Sequence, residues 1–82
     1  MTPAQCRAAR ALLDISQTKL AQMADLGLST IVDFEKERRQ ISLDAAFRIR
    51  AALERAGIDF IDENGGGSGL RLRKRSQQRG RR

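Results

Sequence analysis

Residues 16–39 read Ser-Gln-Thr-Lys-Leu-Ala-Gln-Met-Ala-Asp-Leu-Gly-Leu-Ser-Thr-Ile-Val-Asp-Phe-Glu-Lys-Glu-Arg-Arg, and their pattern decides the fold. Apolar residues fall at Leu20, Ala21, Ala24, Leu26, Ile31 and Phe34. One helix over about Gln17 to Asp25, a turn at Asp25-Leu26-Gly27 and a second helix over about Leu28 to Lys36 would point all six into one small core. Ser16 is placed to cap the first of these helices. Asp25 tolerates left-handed backbone better than most residues, and Gly27 is expected to let the chain enter the second helix at any angle. Leu26 plugs the space between the two. The side chains left over (Gln17, Thr18, Lys19, Ser29, Thr30, Val32, Asp33 and Lys36) fall on the outside.

Toward the N-terminus, Thr2-Pro3-Ala4-Gln5 is a strong helix start, with Thr2 as cap, Pro3 at the first position and Gln5 completing a capping box. A helix from about Pro3 to Leu13 follows, with Ala9 and Leu12 inward and Cys6 and Leu13 near them. Toward the C-terminus, Glu37-Arg38-Arg39-Gln40-Ile41 forms a loop and Ser42 caps a helix over about Leu43 to Arg55, closed by Gly57. The apolar stripe expected on that helix is Leu43, Ala46, Phe47, Ile49 or Arg50, and Leu53. Beyond Gly57 the period changes. Ile58-Asp59-Phe60-Ile61 and Gly69-Leu70-Arg71-Leu72-Arg73 read as strands, joined by a hairpin turn at Asn64-Gly65-Gly66-Gly67. A two-stranded hairpin is barely stable alone, so it must pack on the helices, pair with a second copy or be loosely held. The fold class expected is mainly α: a bundle of four to five helices plus a C-terminal β-hairpin. The domain plan is a helical domain over residues 1–57, a hairpin over 58–73 read as a dimerisation element, and a basic disordered tail over 74–82.

The chain has 82 residues and a formal net charge of +6, and location matters more than the total. Of sixteen basic residues, seven lie in residues 71–82 with no acid, leaving nine basic against ten acidic groups elsewhere. The high pI therefore comes from the tail. Such a tail holds nucleic acid by counterion release or serves as a solubilising end. No apolar run approaches the ~20 residues that span a bilayer, and the N-terminus lacks a signal-peptide plan. A membrane partner is not expected, and a reduced, cytoplasmic setting is. Cys6 has no second Cys and no His beside it, so neither a disulfide nor a metal site is expected. No cofactor is implied. Glu35 and Asp33 share a helix, yet nothing accompanies them that would support catalysis, so the chain is not read as an enzyme.

Two helices at this spacing form a helix-turn-helix, whose second helix enters the major groove of DNA. The layout resembles the phage-repressor and Cro-like helix-turn-helix proteins, the XRE family of bacterial regulators. The residues that carry the resemblance are Arg7-Ala8-Ala9-Arg10-Ala11-Leu12-Leu13, Ser16-Gln17-x-x-Leu20-Ala21 and Ser29-Thr30-Ile31-x-x-Phe34-Glu35-Lys36, within residues 4 to about 56. The resemblance implies a phage-repressor-like bundle that binds operator DNA as a homodimer and controls transcription, in the cytoplasm and associated with the nucleoid. It implies that Gln17 touches a phosphate and braces the recognition helix. Leu28, Ser29 and Asp33 match base-facing positions, with Val32 beside them, and Thr30 and Lys36 match backbone-contacting ones. Arg10 and Glu35 match an internal ion pair.

The residue chemistry agrees with much of this. Gln17, Thr18 and Lys19 open a helix whose free N–H groups favour phosphate. Ser29 and Thr30 donate hydroxyls, and Lys36, Arg38 and Arg39 can flank the recognition helix as phosphate clamps. Leu28 and Val32 suit thymine methyls, and Asp33 can accept from cytosine N4, although nearby phosphates repel it. A face so lean in bidentate donors leans on DNA shape. The function expected is a sequence-specific DNA-binding regulator, a repressor or autoregulator, acting as a homodimer on a palindromic operator. The alternative is a protein-binding adaptor, such as an antiactivator or antitoxin, motivated by Asp33 and the near-neutral helical part. An architectural nucleic-acid binder working through the Arg tail is a third reading.

Overall fold

The computed structural model describes residues 1–61 and 69–73; the turn expected at 64–67 and the basic segment 74–82 lie outside the described residues. Four helices are followed by two strands: α1 (Pro3–Leu13), α2 (Gln17–Ala24), α3 (Leu28–Glu35), α4 (Leu43–Arg55), β1 (Ile58–Ile61) and β2 (Gly69–Leu72). Helix starts follow the caps read in the sequence. The Thr2 hydroxyl accepts from Gln5 N–H at 3.1 Å, and the Gln5 side chain accepts from Thr2 N–H at 2.8 Å, which closes the capping box. Ser16 and Ser42 accept from Lys19 and Ala45 N–H at 2.9 and 3.0 Å.

The first three helices all end in one way. Asp14, Asp25 and Glu37 take left-handed backbone, at φ 58°, 57° and 58°. Around each, two bonds cross in the Schellman pattern. Ile15 and Asp14 N–H reach Arg10 and Ala11 carbonyls; Leu26 and Asp25 reach Ala21 and Gln22; Arg38 and Glu37 reach Asp33 and Phe34. Asp25 behaves as expected of a residue at ease in that conformation. Gly27 does not. It is the N-cap of α3 with φ −71° and ψ 150°, a conformation open to any residue, so its freedom is not what turns the chain.

The core is made of Cys6 and Ala9 of α1, Leu20, Ala21 and Ala24 of α2, Ile31 of α3, Ile49, Ala52 and Leu53 of α4, and Ile58 of β1. Leu26 and Phe34 pack partly buried against it. Two expectations need correction. Leu12 is 47% exposed, because the small side chains of Cys6 and Ala9 form the inward face of α1 and bring its backbone close to its neighbours. On α4 the inward stripe is Ala45, Ile49, Ala52 and Leu53, while Leu43 is 90% and Phe47 71% exposed. Helix α4 packs on α2, and Ala52 shares the core cluster with Ala21 and Ala24, so small side chains line that side of α4.

The strands pair antiparallel with Ile58 opposite Leu72, Asp59 opposite Arg71 and Phe60 opposite Leu70. Ile58 seats the hairpin in the helical core, and the Gln5 amide donates to Gly69 carbonyl at 3.2 Å to tie α1 to β2. Arg50 of α4 stacks over the Phe60 ring at 4.9 Å, a cation–π contact. Gly57, at φ 118°, makes the sharp exit from α4 that a side chain would strain. The hairpin thus packs on its own chain.

Candidate nucleic-acid interface

Helix α3 divides its eight residues by period. Ile31 and Glu35, four apart, are buried, and Phe34 is half-buried. Leu28, Ser29 and Lys36 are exposed, while Thr30, Val32 and Asp33 lie half-buried along the flanks. The outward row therefore runs from Leu28 and Ser29 past Val32 to Lys36. At the start of α2, Thr18 and Lys19 are exposed and Gln17 is half-buried. The first N–H groups of a helix have no intrahelical acceptor, so the α2 end presents donors and partial positive charge beside these side chains.

Beneath this surface sits the one buried charged residue among the described residues. Glu35 is 2% exposed and its carboxylate takes four hydrogen bonds. Arg10 Nε donates to Oε2 and Arg10 Nη2 to Oε1, each at 2.7 Å. Gln17 Nε2 donates to Oε1 at 3.0 Å, and the Cys6 thiol to Oε2 at 3.2 Å. Arg7 Nη1 donates to the Glu35 main-chain carbonyl. Arg10 also reaches the Ile15 carbonyl at 3.2 Å. A buried carboxylate is tolerable when its lone pairs are filled and its charge is met by a bidentate guanidinium. Both conditions hold.

This geometry sets the protonation of the group. Burial alone would raise the Glu35 carboxyl, but hydrogen bonds from Arg10, Gln17 and Cys6 together outweigh it and hold the pKa below the ordinary value. The same contact with Glu35 raises Arg10 against a smaller opposing effect of burial. Burial, followed by the bond to Glu35, pushes the Cys6 thiol far up, so it stays protonated and donates.

The carboxylate joins three helices: α1 through Arg10 and Cys6, α2 through Gln17, and α3 on which it sits. Gln17 is thereby turned partly inward as a brace. Its neighbours Thr18 and Lys19 are not drawn into the network. Asp33 has its carboxylate taken up within the chain, by Arg39 Nε at 2.9 Å and Arg38 Nη1 at 3.9 Å. Lys36, Arg38 and Arg39 are exposed in the segment that follows α3, where the Schellman bonds reverse the chain. From the sequence, Asp33 and these two arginines read as separate DNA contacts; in the structure they pair with each other. The pair forms across the αL turn at Glu37, which no glycine marks in the sequence.

Among the described residues no group of three His, Cys, Asp or Glu side chains could hold a metal ion, and no helix is long and apolar enough to cross a membrane. A family model described as helix-turn-helix matches residues 7–60, from α1 into β1. No curated protein matches the chain.

Proposed function

This chain belongs to the XRE-type helix-turn-helix family of DNA-binding regulators, and on that premise we propose that it is a homodimeric repressor or autoregulator that binds a palindromic operator. The observation that carries the reading is the outward row of α3, Leu28, Ser29, Val32 and Lys36, held at a fixed angle to α2 by the saturated Glu35 carboxylate. Leu28, Ser29 and Val32 face the bases, with Asp33 at their edge. Thr30 and Lys36 meet the DNA backbone. The start of α2, with Gln17, Thr18 and Lys19, seats one phosphate, and Arg38 and Arg39 flank the helix on the other side. Two recognition helices related by a two-fold axis would address half-sites ~34 Å apart.

The domain plan follows the same lines. Residues 1–57 form the DNA-binding unit, and the hairpin of 58–73 together with the apolar Leu43 and Phe47 of α4 supplies the surface for a second copy. Small domains gain stability from such association. With DNA as its target, the protein would act in the cytoplasm, at the nucleoid.

Selection of bound duplexes from a random pool at about 150 mM salt tests the proposal. A recovered palindrome with half-sites one turn apart is the expected result. Salt-sensitive binding with no preferred sequence would overturn the operator reading in favour of counterion release by the basic tail.

A further inference from the structure

Asp33 is an acid beside an outward row, Leu28, Ser29, Val32 and Lys36, of neutral and basic groups. Its carboxylate receives Arg39 Nε at 2.9 Å on one oxygen and faces Arg38 Nη1 at 3.9 Å on the other. Its main-chain carbonyl receives the Arg38 N–H at 2.9 Å, the outer bond that ends α3. One residue therefore holds the Arg38-Arg39 segment by backbone and by side chain. A guanidinium is a rigid planar fork of five N–H donors, so fixing its Nε edge fixes where its Nη edge points. Among the described residues, Arg39 makes no other hydrogen bond.

We propose that Asp33 is a positioning residue that determines specificity: it aims Arg39 at one phosphate past the C-terminal end of α3 and lowers affinity for any duplex that does not place a phosphate there. The proposal rests on the DNA-binding reading above. Non-specific affinity is set mainly by charge, and a carboxylate beside the phosphates opposes it on every sequence alike. Released from Asp33, two guanidiniums reach whatever phosphate is near, so binding to random DNA tightens. Binding to the preferred duplex gains the same charge effect and loses the aimed contact. The ratio of the two affinities falls.

The test uses the full chain and two probes of equal length, the duplex recovered by selection with the unaltered protein and a random-sequence duplex. Asp33→Asn is expected to tighten binding to the random probe and to lower the selected-to-random ratio about two- to fivefold, the range of a single exposed ion pair. In an Arg39→Ala background the same substitution is expected to leave the ratio unchanged. A purely structural role would move both affinities together by lowering the folded fraction. Equal shifts on both probes, in either direction, overturn the proposal, as does a fall in ratio that persists without Arg39. If the unaltered protein recovers no preferred duplex, the DNA-operator reading itself fails, and that outcome is seen before any variant is made.

Discussion

Arg10 grips Glu35 edge to edge, with two parallel N–H···O bonds of 2.7 Å, although the two residues lie on different helices 25 positions apart. Glu35 is 2% exposed, while Arg10 covers it from a partly buried position. Removing the guanidinium leaves a buried carboxylate with only Gln17 and Cys6.

Arg10→Ala is therefore expected to cost about 3–5 kcal/mol of folding stability, the range for breaking a buried pair from one side. That is a large part of the ~4–12 kcal/mol expected for a chain of this size. Replacing both partners with apolar residues, as in Arg10→Met with Glu35→Leu, should cost less than the single change. Urea unfolding followed by circular dichroism measures both. A single variant as stable as the parent would show that the pair contributes nothing.

Acid should weaken the fold through the same carboxylate. Glu35 titrates lower in the folded chain than in the unfolded one, where a glutamate sits at about 4.3. Above that value both states are ionised and the contribution is complete. As pH falls below it the unfolded chain takes up the proton first, and the contribution is lost until the folded group titrates in turn. The stability difference between the parent and Glu35→Gln should shrink by up to about 1.4 kcal/mol per pH unit in that window. Thermal midpoints between pH 6 and pH 3 give the slope; a constant difference would refute it.

The left-handed Glu37 is the costliest of the three helix ends, since a glutamate gains no local compensation for φ 58°. Glu37→Gly should stabilise by about 0.5–1 kcal/mol after allowing for the looser unfolded chain, and raise the melting midpoint by roughly 2–8 °C. Asp25→Gly should gain less, because aspartate accepts αL more readily. Glu37→Ala, which keeps a Cβ, should gain nothing. An equal rise for alanine and glycine would point away from backbone strain.

Phe47 and Leu43 offer a separate test of pairing. Both are largely exposed, so Phe47→Lys should leave the circular dichroism spectrum and melting of the isolated fold nearly unchanged. If α4 faces a second copy, sedimentation equilibrium should then give the mass of one chain where the parent gives two. A parent that sediments as one chain at micromolar concentration would end the homodimer proposal.

Three helix starts were legible because each is written in a few adjacent residues: Thr2-Pro3-Ala4-Gln5, Ser16 before Gln17, Ser42 before Leu43. The two strands were legible because Leu70, Arg71 and Leu72 alternate, whereas their register was not. The inward side of α4 was not. Two stripes compete along it, and side-chain hydrophobicity favours the one with Leu43 and Phe47. Packing favours the other, since Ala52 with Ile49 and Leu53 joins the core that holds Ala21 and Ala24 of α2. Nothing local to α4 records what its neighbour looks like. The same limit hid Asp33 and Arg39, whose meeting depends on a reversal at Glu37 that no glycine announces.

Glu35 belongs to the recognition helix, yet the guanidinium that neutralises it comes from outside the two-helix motif. A peptide spanning residues 16–39 would carry Gln17 and the whole turn while leaving that acid without Arg10 and Cys6. Transplanting this reading head onto another scaffold therefore requires the first helix to travel with it. A donor fragment beginning at Thr2 is the shortest graft that brings its own counterion and its own helix start.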